Sequence, residues 1–168
     1  MRFFAHEFND LKELFIEQLK DIYDAEYRLT YALPKMADAA SSPELKSAIQ
    51  QHLGETQEHH RKLEAMFRSL QMEPERETCD AIKGLIAEGD EMIDAKGDDQ
   101  VRDAGLIAAC QKVEHYEMAT YGTLRTWAEQ LGMHDCATTL ESILMDEKNT
   151  DQKLTQIAES RVNVAAAQ

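Results

Sequence analysis

The stretch Gln111–Leu124, QKVEHYEMATYGTL, decides the fold. Extended by its own periodicity, it places Ile107, Cys110, Glu114, Glu117, Tyr121, Leu124, Ala128 and Leu131 on one face of a helix. Alternating steps of four and three residues make the seam that a helix turns toward a bundle core. Two glutamates therefore stand together where apolar side chains belong. The helix is predicted over Gln100–Leu131 and stops at Gly132, a residue suited to the left-handed turn after a helix.

Working outward, a last helix starts near Asp135 and runs to about Arg161, followed by a frayed tail, VNVAAAQ. Its seam is Ala137, Leu140, Leu144, Glu147, Asp151, Leu154 and Ala158. Upstream, a first helix spans about Asn9 to Ala40 with Pro34 as a late kink. Its seam, Phe15, Leu19, Ile22, Glu26, Leu29, Leu33, Met36 and Ala40, is interrupted by one glutamate. Ser41-Ser42-Pro43-Glu44 follows as a capping signal, with Ser41 and Glu44 at capping-box spacing. A second helix then runs to about Leu70. Its face is less clean, but Leu45, Ala48, His52, Glu55, His59, Leu63, Met66 and Leu70 can share it. Between the halves, Thr78–Ala95 forms a shorter helix ended by Gly97.

Short turns make each half an antiparallel hairpin, about residues 9–70 and 100–161, and the crossover 71–99 carries its own helix. The expected fold is all-α, a single ferritin-like four-helix bundle with one long crossover. Composition agrees: only seven glycines and three prolines occur in 168 residues, and helix formers dominate.

The formal net charge of −14 opposes nucleic acid and anionic membranes and suits metal cations. No run approaches the roughly 18 apolar residues of a membrane span. The opening MRFFAHEFND lacks the apolar core of a secretory signal. Cys79, Cys110 and Cys136 show no paired spacing, so three reduced thiols in a cytoplasmic protein are expected.

Depth along the helices sharpens the case for a site. Glu26 lies 15 residues before Ser41 and Glu55 lies 14 after it. Glu117 and Glu114 lie 15 and 18 before Gly132, and Glu147 lies 15 after. At ~1.5 Å per residue all stand ~20–27 Å from their own turns, so a ring of acids at mid-bundle is expected. One such glutamate is ordinarily a salt-bridged residue at a seam edge. A matched set on several helices is more economically explained by two bound cations, which remove both desolvation and mutual repulsion. Carboxylate with some imidazole favours iron, with manganese as the alternative, over zinc or copper.

These runs, together with LKDIYDAEYRLTYALPKM (19–36), HLGETQEHH (52–60) and DEKNTDQKL (146–154), resemble the YciE/YciF family of bacterial stress proteins, a branch of the ferritin-like superfamily. The resemblance spans about Leu11 to Ser160. It implies a dimer, a rubrerythrin-like di-iron site and a role in stress response. By position it assigns Glu26, Glu55, Glu114, Glu117 and Glu147 as metal ligands, with Glu117 the mobile one. The wider superfamily places histidine three residues beyond two of its glutamates, whereas here Glu58 and Thr150 stand there. Four residues on, His59 and Asp151 are the expected supplementary ligands, with Glu58 competing with His59.

His52 is read as a hydrogen-bonded seam histidine rather than a supporting group of the site. His60 and His115 are expected to face outward. Tyr121 either bonds a ligand or simply fills the core, the second being preferred. Two functions follow. One is a redox enzyme acting on peroxide or dioxygen. The other is a non-catalytic structural or metal-binding homodimer, whose interface would use Leu11, Leu14 and Ile16 off the first seam.

Overall fold

The computed structural model describes residues 7–168. Helix α1 spans Leu11–Ala39, α2 Pro43–Ser69, α3 Asp80–Ile93, α4 Asp99–Gln130, α5 His134–Ile157 and α6 Asn163–Ala166, with no strand among the described residues. Helices α1 and α2 pair as one hairpin, α4 and α5 as the other, and α3 packs on α4 and α1. The architecture is a ferritin-like bundle with a helical crossover.

Side chains written into the sequence start each helix. Asp10 accepts from the Glu13 amide at 2.8 Å while Glu13 accepts from the Asn9 amide at 2.8 Å, a reciprocal cap. Asp98 accepts from the amides of Gln100 and Val101. The cap of α2 is Ser42, whose hydroxyl accepts from the Leu45 amide, and not Ser41. Ser41 has another partner: its amide, its hydroxyl and the Ser42 amide all donate to buried Asp103 of α4, at 2.9, 2.6 and 2.7 Å.

That contact sets the topology. The α1–α2 turn lies at the start of α4, while the end of α2 (Met66, Ser69) meets Asp135 and Cys136 just beyond the α4–α5 turn. The two turns therefore occupy opposite ends of the bundle, and the crossover climbs its length between them. Depth counted from the turns still places the acids together, because about 15 residues is close to half of each helix.

Apolar layers close the core on both sides of this level. Phe15, Leu19 and Ile22 are fully buried toward one end and Leu29, Leu33 and Leu45 toward the other. Each such side chain contributes ~1.5–3 kcal/mol relative to exposure. The tail departs from expectation. Instead of fraying after Arg161, the chain makes one wider helical turn at Ala158–Val162 and continues as α6. Ala158 and Val162 are both buried, and Arg161 pairs with Glu44 at 3.0 Å, so burial and charge outweigh the weak helix preference of VNV.

Both hairpin helices α2 and α4 end alike. The Met133 amide donates to Ala128 and the Gly132 amide to Glu129, and in parallel the Met72 amide donates to Phe67 and the Gln71 amide to Arg68. The pivot is Gly132 at φ +70° in one and Gln71 at φ +60° in the other. A side chain in that region costs about 1 kcal/mol. Gln71→Gly is expected to raise stability by about 0.5–1 kcal/mol in urea melts of the metal-free protein. Unchanged or lowered stability would show that the Gln71 side chain repays its strain.

Candidate metal centre

At mid-bundle six ionisable side chains converge, and all are within 2% of complete burial: Glu26 from α1, His52 and His59 from α2, Glu114 and Glu117 from α4, and Glu147 from α5. Glu114 and Glu117 share one α4 face because they are three residues apart, and Tyr121 joins them one turn later. His52 and His59 are seven residues apart on α2, two turns on the same side.

The six fall into two overlapping groups. His52, Glu114, Glu117 and Glu147 form one, and Glu26, His59 and Glu147 the other, with the donor atoms of each group within 4.8 Å of one another. Glu147 belongs to both. Its Oε1 lies 3.0 Å from His59 Nδ1 and its Oε2 lies 3.9 Å from His52 Nδ1. His59 Nδ1 is also 3.4 Å from Glu26, while His52 Nε2 is 3.2 Å from Glu114. Behind the ring, His59 Nε2 meets Asp146 at 3.2 Å, a carboxylate placed to fix the imidazole's orientation. The Tyr121 hydroxyl donates to Glu26, so this fully buried tyrosine both fills the core and binds a cluster carboxylate.

Few of the cluster's donor atoms are satisfied. Both oxygens of Glu114, Glu117 and Glu147, one oxygen of Glu26, both nitrogens of His52 and Nδ1 of His59 have no hydrogen-bond partner. Burial pushes Glu26, Glu114 and Glu117 above the usual carboxylate range. Glu147 adds repulsion to all three, and for Glu114 and Glu117 the effect is large. Burial would lower His59, but the Glu147 and Glu26 carboxylates beside its Nδ1 win and push it up to about 10. In the absence of another cation, protons and this imidazolium are what neutralise the acids. The donors present, four carboxylates and two imidazoles most of whose polar atoms lack partners in a closed core, fit a pair of cations of the iron or manganese type.

Of the residues singled out in the sequence, the structure brings Glu26, His59, Glu114, Glu117 and Glu147 together, and leaves two outside. Glu55 stands at the rim with its side chain 30% exposed, accepting from Gln51 at 2.9 Å and Thr150 at 3.2 Å. The nearby His52 imidazole, with Gln51 and Thr150, holds it down to about 2 against partial burial. Asp151 accepts from Gln111 at 3.0 Å and meets His115 at 3.3 Å, away from the ring. The cause is the same in both helices. The buried line of α2 runs through Thr56 and that of α5 through Thr150, each next to the acid expected there. Glu58 is exposed and paired with Arg61 at 2.7 Å.

His52 was the residue that sequence reasoning undervalued; its signal was the seven-residue spacing from His59. His115 faces outward as expected, whereas His60 does not. It stacks on Tyr23 with ring centroids 4.4 Å apart, because the flat imidazole covers the tyrosine face beside it.

Comparison with known proteins agrees with this fold. Protein YciF of Escherichia coli (strain K12) is 45% identical over 157 residues, covering 93% of this chain and 95% of that protein. The crystal structure of that stress protein superimposes with a TM-score of 0.89 at 44% identity, over 93% of this chain and 99% of that chain. YcfI from Rhodopseudomonas palustris, a proposed structural protein, gives 0.89 at 41% identity over the same shares. A ferritin-like, diiron-carboxylate protein from Bacillus anthracis shares the fold, with a TM-score of 0.66 at 18% identity over 90% of this chain and 99% of that chain. Residues 10–167 match the family described as Domain of unknown function (DUF892), and the chain belongs to it.

Proposed function

We propose that the protein is a di-metal carboxylate protein that binds two iron ions, or two manganese ions, and serves in stress response by reacting with peroxide or dioxygen. One observation carries this reading: buried glutamate and histidine donors at the centre of the bundle that no protein group satisfies. Glu114, Glu117 and His52 would hold one ion, Glu26 and His59 the other, and Glu147 has an oxygen toward each histidine. When bound, such a pair supplies redox chemistry toward small oxidants.

The chain's own residues do the rest. His59 must release the proton at Nδ1 to become a ligand, and Asp146 keeps the ring aligned as it does so. Tyr121 fixes Glu26 through its hydroxyl. Glu117 has no hydrogen bond on either oxygen and, unlike Glu114 and Glu147, is not paired with a histidine, which leaves it the carboxylate freest to swing. The apolar layers above and below keep water from the cluster. We also infer a homodimer, formed where Leu11 and Leu14 are only half-buried on the outer side of α1.

Iron reconstitution followed by elemental analysis is expected to approach two ions per chain, and the loaded protein is expected to consume peroxide faster than the metal-free protein. Well under one ion per folded chain would remove the site. Full loading without turnover would leave the non-catalytic reading.

The metal-free protein should also carry a pH signature. Groups with raised folded pKa values stabilise below their unfolded pKa and lose that contribution as pH rises through the folded value. Glu26, Glu114 and Glu117 are raised, and His59 is raised to about 10, so chelator-treated protein should lose stability steadily from about pH 5 toward pH 10. Glu55, held to about 2, works oppositely and matters only below its unfolded value near pH 4.5. Glu117→Leu should flatten this decline and stabilise the metal-free state by ~1–3 kcal/mol at neutral pH, since an apolar group replaces a buried acid. The same variant should bind metal much more weakly. Urea melts with chelator, and calorimetric titration with manganese, read both; parental metal binding by the variant would contradict the ligand assignment.

Sedimentation at micromolar concentration is expected to give two chains per particle. A monomer at that concentration would refute the dimer and leave the metal site untouched.

A further inference from the structure

A cavity of ≈ 10 Å³ lies inside the protein between α1, α3 and α4. Leu29, Leu33 and Met36 wall it from α1, Leu85 and Gly89 from α3, and Val113 from α4. Its inner end is Glu114, one of the cluster carboxylates. Outward, Ala32, Ile86 and Asp90 border both the cavity and an open cleft on the protein surface. The cavity thus lies on a line from solvent to the cluster.

Size and lining decide what can occupy it. The space accepts one molecule about as large as water and no more. Water needs two to four polar partners; apart from the Cys110 thiol, the Asp90 carboxylate at the outer edge and the Glu114 carboxylate at the inner end, the walls are aliphatic and thioether, so a water there would lack most of its hydrogen bonds. Hydrogen peroxide would forfeit its hydration there in the same way. A small molecule without hydrogen-bonding needs loses nothing. The glycine in the α3 wall keeps the space open. A Cβ at Gly89 would already touch Met36 Sδ and Cε at 3.8 Å and Ala109 at 4.0 Å, so any longer side chain there would enter the cavity.

We propose that this cavity is a dwell site for one small apolar gas molecule, dioxygen above all, on its way from the α1–α3 cleft to Glu114. Delivery to a metal pair rests on the function proposed above; occupancy of the cavity does not.

Methyl relaxation in the metal-free protein under dioxygen, compared with nitrogen at equal pressure, tests occupancy directly. Paramagnetic enhancement is expected to be several-fold greater at Leu29, Leu33, Met36 and Val113 than at Leu140 and Ile143, which are just as buried but outside the cavity. Equal enhancement at the two sets overturns the proposal, whether or not the protein binds metal. Gly89→Leu should abolish the difference; if that variant does not fold, Ala109→Leu fills the cavity from the opposite wall. In iron-loaded, reduced protein the filled variant should be oxidised by dioxygen about ten-fold more slowly than the parent. Its oxidation by hydrogen peroxide should stay within about two-fold. Equal slowing by both oxidants, or by neither, overturns delivery through this path.

Discussion

Ionisable groups held in a dry core at a cost that the protein alone does not cover are the constraint on which this bundle depends. Glu26, Glu114, Glu117 and Glu147 are completely buried, and most of their oxygens have no partner. A carboxylate so placed is expensive unless it is paired or neutralised. Apolar layers separate the cluster from the α1–α2 turn at one end and the α4–α5 turn at the other. Without added cations the protein balances itself with protons on raised carboxyls and with the His59 imidazolium. That balance is local to the cluster.

Much of this was legible in the sequence because seam periodicity is strong wherever a lone acid interrupts aliphatic residues. Glu26 sits among Ile22, Leu29 and Leu33, and Glu147 between Leu144 and Leu154, so their faces were unambiguous. Helix α2 was harder. Between Ile49 and Leu63 its buried positions are His52, Thr56 and His59, all polar, so hydropathy cannot distinguish the face through Thr56 from the one through Glu55 about 100° away. The packed structure chooses the smaller, neutral threonine for the seam and leaves Glu55 at the rim. Thr150 displaces Asp151 on α5 for the same reason.

Other features depend on contacts between distant residues and leave no local mark. That the two hairpin turns lie at opposite ends follows from Ser41 and Ser42 donating to Asp103, a pairing across about sixty residues. The continuation of the last helix past Arg161 depends on burying Val162 against the bundle and on the ion pair to Glu44. Neither is a property of the segment that shows it.

The crossover explains how a sealed cluster can remain approachable. Its first part is fastened firmly to α1. Buried Asp24 accepts from the Cys79 amide at 3.0 Å, pairs with Arg28 at 2.6 Å and lies 3.7 Å from Arg76. Beyond that anchor α3 buries only Ile82 and Gly89, and the rest of the helix is at least partly exposed. Leu85, Ile86, Met92 and Ile93 pack against the core while still partly exposed, so α3 buries less of its surface than α1, α2, α4 or α5 does. No cluster residue lies on α3. The bundle can therefore keep its donors in place on four well-packed helices while the fifth, less deeply buried, covers an apolar cavity that reaches Glu114. Rigidity of the donors and access from outside are assigned to different parts of the chain.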